Sequence, residues 1–350
     1  METAINQIYQ TRKGSLSMPE LGRFQFNIIA DESQPLSDVG PRGKERPWAE
    51  HRSTGDLLAM IYQINRDNKK AERLRGCADI ISFAVDEEGK KRLNTAWFCR
   101  VRLCPICQWR RSLKVYGQAV EIMKLVDRDK PHGWIMLNLT VRNVDGCDLE
   151  NELNLLNKSW RRMTRSSIWK KTVLGSMRSI EVTHNLEIGD SYDTYHPHIH
   201  SLLCVEQNYF SGHHYLSREA WTKLWIESAK LSYWPQVFVR RIRGSTAGAL
   251  AEVAKYATKP GSYILPDDLD MMSSTVQVLD RALNKRRLVS WQGNLKKAKQ
   301  ELKLDDIDSG DLIHTSEKEL ELADNEHIEF YKWIAAKKIY GRERIIEQKE

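Results

Sequence analysis

Residues 195–205 read YHPHIHSLLCV and carry histidines at 196, 198 and 200. Alternate residues of a strand share a face, so His196, His198 and His200 point one way while Pro197 and Ile199 point the other. Grouped neutral imidazoles suit a divalent metal and would repel one another if protonated. The spacing therefore marks His198 and His200 as metal ligands, with His196 beside them where the strand begins. The plainer alternative is one packed histidine and two surface ones.

A second constellation lies at 246–259, TAGALAEVAKYATK, an alanine-rich run stopped by Pro260-Gly261 that predicts a helix. At about 100° per residue, Ala247, Leu250, Val253, Ala254 and Ala257 share one side. Glu252, Lys255, Tyr256 and Lys259 take the other, with Glu252 one turn from Tyr256. An ordinary solvent face could look the same. Beside a metal-binding histidine pair on a basic chain, it reads as a nucleophile and its helpers. A tyrosine oxygen can attack a phosphodiester and keep the 5′ phosphate as a covalent ester. Glu252 can then activate water or a 3′ hydroxyl for the reverse step. Lys255 and Lys259 would lower the phenol's pKa and neutralise charge on phosphorus.

The third group is cysteine. Cys104-Pro-Ile-Cys107 is a pair spaced for a tight metal-binding turn, Cys99 precedes it, and Cys77 completes four thiolates for a structural Zn²⁺. A redox pair needs no third or fourth cysteine, and independent buried thiols are the other alternative. Arg100, Arg102, Arg110 and Arg111 surround this knuckle and are read as contacts to nucleic-acid phosphates.

Several elements must position these groups. Residues 110–126 and 148–165 carry helical stripes, and 134–142 alternates as a strand. Strand 177–185 returns through Gly189-Asp190 towards the histidines, an antiparallel pair that would bring Glu181 or His184 alongside them. Glu181, between Ile180 and Val182, is either a solvent-facing strand residue or the third ligand, and the ligand reading is preferred. Residues 217–230 predict a helix capped by Ser217. Strand 236–243 ends in Arg240, Arg241 and Arg243, further candidates for DNA contact. Strands and helices alternating at these spacings predict an α+β fold with helices packed on a mostly antiparallel sheet.

Four regions follow. Residues 1–65 read as a flexible arm with one short helix over 55–66, 66–127 as a basic four-cysteine knuckle and helix, and 128–300 as the catalytic domain. Residues 301–350 read as an acidic linker and a terminal helix over 328–346, carrying Phe330, Trp333 and Ile334. That helix would dock or self-associate into a homo-oligomer, with plain surface packing as the alternative. The formal charge is +7, and residues 301–326 hold ten Asp or Glu against two Lys, so the preceding 300 residues are more basic than the total indicates. Such a balance points to a polyanion partner. No run approaches the roughly 20 apolar residues of a membrane span. The first residues, METAINQIYQTRKG, lack a signal peptide's apolar region, so a cytoplasmic protein with no membrane partner is expected.

Taken in order, FCRVRLCPIC at 98–107, LNLT at 137–140, IEVTHN at 180–185, HPHIH at 196–200 and EVAKYATK at 252–259 carry a family resemblance. The set, over roughly residues 70 to 300, resembles the rolling-circle plasmid replication initiators of the HUH endonuclease superfamily. That resemblance implies a ferredoxin- or RRM-like nuclease core preceded by a zinc knuckle. It implies Mg²⁺ or Mn²⁺ on His198 and His200, Tyr256 as nucleophile, and the branch that pairs one tyrosine with a glutamate, here Glu252. The expected activity is to nick and rejoin one strand at a plasmid origin through a 5′-phosphotyrosine intermediate, starting and ending rolling-circle replication. The expected partners are origin DNA, single-stranded at the nick and duplex nearby, and a host helicase and polymerase. A relaxase or transposase using the same nick is one alternative, and a non-catalytic, zinc-containing DNA-binding regulator is another.

Overall fold

A computed structural model describes residues 28–40, 43–242, 250, 254, 260–315 and 326–345. In chain order its elements are β1 (Ile28–Pro35), α1 (Trp48–Ile64), α2 (Asn68–Gly76), β2 (Ile80–Val85), β3 (Lys91–Ala96), α3 (Pro105–Val126), β4 (Gly133–Thr140), α4 (Leu149–Arg165), α5 (Ser167–Thr172), β5 (Gly175–Asn185), β6 (Thr194–Val205), α6 (Arg218–Ala229), β7 (Val237–Arg241), α7 (Leu269–Leu283), β8 (Val289–Gln292), α8 (Gly293–Glu301), β9 (His327–Ile334) and β10 (Ile339–Ile345). The α+β class and the antiparallel pairing read from the sequence are borne out.

The histidine-bearing β6 is the middle strand of a five-stranded antiparallel sheet, ordered β7-β4-β6-β5-β8. Alternation along each strand then sorts the side chains by face. Ile135, Leu137, Leu139, Ile180, Val182, Ile199 and Leu203 are buried and share one face. Over it lie α4 and α6, which pack against each other and against β6 and β7. The apolar stripe of α4 is Leu149, Leu153, Leu156, Trp160 and Met163, all buried, at helical spacing. Trp225 of α6 donates its indole N–H to the Thr140 carbonyl at 2.9 Å, tying helix to strand. Ser217 caps α6 as its sequence suggests, accepting from the Ala220 N–H.

The opposite face carries the histidines, and α3 and α8 reach one end of it. The Trp134 indole donates to Asp127 Oδ2 at 2.9 Å at the C-terminus of α3. Asn294, in the first turn of α8, lies 3.3 Å from Cys204 Sγ.

A second antiparallel sheet has the order β1-β10-β9-β2-β3 and departs from the expected boundaries at both ends. Residues 28–65 are not a flexible arm. β1 pairs with β10, and α1 begins well before residue 55, burying Trp48, Leu58, Ala59, Ile61 and Tyr62. Trp48 anchors it edge-on against Trp109 (ring centroids 4.8 Å apart) and Phe83 (6.0 Å). Nor is 328–346 a helix. It is the β9–β10 hairpin, because Glu329, Tyr331 and Trp333 alternate inward on β9, whose edge pairs with β2. The terminal stretch therefore shares a sheet with the knuckle region. No helix among the described residues is long and apolar enough to cross a membrane.

Candidate metal centres and nucleic-acid surfaces

Register brings the first group together. Across the central strands His198 lies opposite Glu181 and Thr140, and His200 opposite Ser179 and Asn138. Glu181 is 2% exposed, and its Oε2 lies 3.1 Å from His198 Nε2 and 2.8 Å from His200 Nε2. Ligand atoms held at about 2.1 Å on adjacent corners of an octahedron stand roughly 3 Å apart, so the spacing fits a single ion. The proton on His198 points the same way. Its Nδ1 is 3.1 Å from the His196 carbonyl, which can only accept, so Nδ1 carries a hydrogen. In the neutral ring the Nε2 lone pair then faces the Glu181 carboxylate, an arrangement that calls for a cation between them and matches how ligating histidines are held. Burial alone would raise the Glu181 carboxyl; where the Nε2 atoms of His198 and His200 instead carry protons, with no cation between the groups, hydrogen bonds from them outweigh burial and hold it well below the usual carboxylate range.

His196 does not join this group of ligand atoms, although it shares the face. Its cross-strand neighbour on β5 is Thr183 rather than a carboxylate. His184 is elsewhere. Three residues from Glu181, it projects from the other face, where it stacks on Tyr195 at 4.5 Å and lies 2.8 Å from Asp193 Oδ1.

The four cysteines also converge. Sγ of Cys77 is 3.7 Å from that of Cys107 and 3.6 Å from that of Cys104, and Cys99 Sγ is 3.7 Å from Cys107 Sγ. These separations are far too long for disulfides. They match the edge of a sulfur tetrahedron with metal–sulfur bonds of about 2.3 Å. Backbone N–H groups of Cys99 and Arg100 donate to Cys77 and Cys107 sulfurs at 3.4 and 3.3 Å. Burial pushes the Cys77 and Cys99 thiols well up, a penalty that a bound cation would remove.

The basic residues around the knuckle are not where DNA contact would require them. Arg110 and Arg111 are 4% and 3% exposed. Arg110 donates to the Leu312 and Ile313 carbonyls, Arg102 pairs with Asp308 at 2.8 Å, and Arg100 donates to the Asp308 and Gly310 carbonyls. The acidic stretch after residue 300 thus folds back and occupies Arg100, Arg102 and Arg110, while Arg111 donates to the Arg100 carbonyl at 3.4 Å with Asp308 at 4.0 Å. Arg240 and Arg241 remain exposed on edge strand β7. Arg240 shares the ion-group face, and Arg241 lies over the Phe210 ring at 4.0 Å on the other. The same strand carries a residue that sequence reasoning missed. Phe238, 54% exposed, pairs with Asn138, itself opposite His200, so a bare aromatic ring lies two strands from the ion group. Its signal was an apolar residue on the polar phase of an edge strand.

Glu252, Lys255, Tyr256, Lys259 and Arg243 lie outside the described residues. Leu250 and Ala254 are described, and both are buried, with the Ala254 N–H 2.8 Å from the Leu250 carbonyl. Both are apolar positions of the stripe that the sequence pattern defines.

An α+β protein with a carboxylate–imidazole group and a four-thiol cluster that could each hold a metal ion, on a basic chain, fits the class of nucleic-acid-associated metal-site proteins. Residues 90–341 match the Rep_1 family model, described as replication protein, and the chain belongs to that family. Similar proteins include one called Protein rep from Bacillus amyloliquefaciens, 38% identical over 318 residues, spanning 82% of this chain and 91% of the relative. A Protein rep from Streptococcus pneumoniae is 35% identical over 317 residues, 89% of this chain and 96% of the relative. No solved structure matches. The resemblance to plasmid replication initiators is borne out.

Proposed function

We propose that the chain nicks and rejoins one strand of a plasmid origin, beginning and ending rolling-circle replication through a phosphotyrosine intermediate. The observation that carries this reading is the buried Glu181, His198 and His200 group on the central strands of a replication protein. The segment EVAKYATK follows β7, an edge strand of that sheet, in sequence. Family membership favours this reading over the relaxase, transposase and non-catalytic regulator alternatives.

The three ligands would hold a divalent cation, and their two nitrogens suit Mn²⁺ better than Mg²⁺, which prefers oxygen. Such a cation would polarise the scissile phosphate. Tyr256, as phenolate, attacks phosphorus. The bond from phosphorus to the 3′ oxygen breaks, its electron pair leaves with that oxygen, and protonation yields a 3′ hydroxyl for a host polymerase to extend. The 5′ phosphate stays on Tyr256 as a diester. Lys255 and Lys259 favour the phenolate and offset charge on phosphorus. Glu252 takes the proton from the water or 3′ hydroxyl that later displaces Tyr256. The strand must be unpaired to reach such a site, so local opening and a host helicase belong to this reading. The four cysteines would hold Zn²⁺ and fix the region before the catalytic sheet.

A labelled single-stranded origin oligonucleotide tests it. With Mn²⁺ the full chain should form a denaturation-resistant adduct that Tyr256→Phe abolishes, and an adduct surviving in that variant would overturn the assignment. Glu252→Ala should still nick but accumulate adduct. Glu181→Gln should weaken Mn²⁺ binding by about tenfold or more with unchanged circular dichroism, while His196→Ala leaves it as it was.

A further inference from the structure

Beside β8, an open cleft of about 540 Å³ is bounded by α4, β5 and the turn before β8. Arg178 and Trp160 form its floor. Arg178 is 8% exposed, and its Nε donates to Ser290 Oγ at 3.0 Å and its Nη2 to Asn157 Oδ1 at 2.6 Å. Its Nη1 is buried and finds no acceptor among the described residues, nor does the indole Nε1 of Trp160, a residue 1% exposed. Buried N–H donors without partners bear the full cost of leaving water, and a buried arginine ordinarily meets a carboxylate. Among the described residues no carboxylate lines this cleft. Lys158, Arg161 and Arg287 stand exposed at its rim. Arg286 is turned towards Asn154, with Glu150 outside the cleft at 3.6 Å. Burial, with Arg161 nearby, pushes the Arg178 guanidinium down to about 10, as befits a cation lacking its counter-charge.

We infer that this cleft is a phosphate-binding site that anchors the backbone of duplex DNA, on the face of the central sheet opposite the Glu181, His198 and His200 group. Arg178 and Glu181 are an odd number of residues apart on β5, so their side chains leave the sheet on opposite sides. The cleft offers cations and stranded N–H donors, which suit a phosphate oxygen. Trp160 is buried, so the floor offers no exposed ring on which an unpaired base could stack. This inference rests on the reading of the chain as an origin-processing enzyme and names the surface that holds the duplex while the strand to be cut lies on the other face.

The test uses the full chain and the triple variant Lys158→Ala, Arg161→Ala, Arg287→Ala, all exposed positions that leave the floor intact. Affinity for a double-stranded origin fragment should drop by about tenfold, and the slope of log K against log salt should flatten by about 0.9 for each phosphate the variant no longer neutralises. Adduct formation on the single-stranded oligonucleotide should be unchanged. Unaltered duplex affinity and slope would overturn the inference, and so would an equal loss on both substrates, since the two surfaces would then not be separate. Arg178→Gln should reproduce the duplex defect at unchanged adduct yield. Inorganic phosphate, titrated calorimetrically at matched ionic strength, distinguishes a small-anion site: phosphate binding that needs these residues, with duplex affinity indifferent to them, also overturns it. Should neither protein form an adduct, the nicking reading fails, while the duplex measurement still decides this one.

Discussion

A carboxylate between Ile180 and Val182 must leave the sheet on the side those two residues do not take. They are buried under helices, so Glu181 turns to the histidine face and meets two imidazoles there. His198 and His200 were legible from the two-residue period alone. The choice between Glu181 and His184 was not, because the turn joining the strands leaves the register open, and one residue of slip exchanges the faces. Another carboxyl lay outside any motif. Glu343 on β10 faces Ala30 on the neighbouring strand, its Oε1 is buried without a partner among the described residues, and burial raises it to about 7 from an ordinary 4.5. Its folded-state pKa is thus above the unfolded one, so its contribution is fully present below about pH 4.5 and is lost as pH rises through about 7. Glu343→Gln should therefore be more stable than the parent at about pH 8 and equal to it at about pH 4 in urea titrations. Parallel pH profiles for the two proteins would show that the carboxyl is not so placed.

At the scale of elements, the helices and strands of the central sheet follow their sequence periods closely, whereas the terminal hairpin did not declare itself. Phe330, Trp333, Ile334 and Lys337 also satisfy a helical spacing, and what decides for strand is a partner, β2, far earlier in the chain. That partner begins beside the thiol cluster. Cys77 precedes Ala78, whose carbonyl accepts from Tyr340 Oη at 2.7 Å, and the Trp333 N–H donates to the Asp79 carbonyl at 2.9 Å. Anything that frees Cys77 should loosen β9 and β10 as well. Cys104→Ser, or chelation of the proposed zinc, should lower stability by about 3 kcal/mol or more and speed amide exchange in β9 along with β2. Elemental analysis of the variant should show the metal gone. Unchanged metal content would refute the four-thiol assignment, and loosening confined to residues near Cys104 would refute the coupling to the hairpin.

For the molecule as a whole, net charge indicated a polyanion partner but could not say which basic residues meet it. Arg100, Arg102 and Arg110 cluster in sequence, yet the carbonyls and carboxylate that occupy them come from about 200 residues further on, a pairing no local pattern encodes. Lys114 joins them, buried and paired with Asp305. The returning stretch lies directly on α3, and Gly117 is what lets it approach. A Cβ there would collide with the Thr315 carbonyl oxygen, a backbone atom with no freedom to yield cheaply. Two effects then oppose each other in Gly117→Ala. Helix propensity alone favours alanine in a helix interior by about 1 kcal/mol. The collision requires the 311–315 backbone to lift from α3, which strips carbonyls from buried Arg110 and Lys114, at a cost of about 1–3 kcal/mol for each donor left unpaired. The second effect is larger, so the variant should be less stable than the parent in urea unfolding. Limited proteolysis should cut it near residue 315 sooner, and its arginines should bind duplex DNA more strongly once uncovered. A more stable Gly117→Ala protein would mean that the acidic stretch does not rest on this helix.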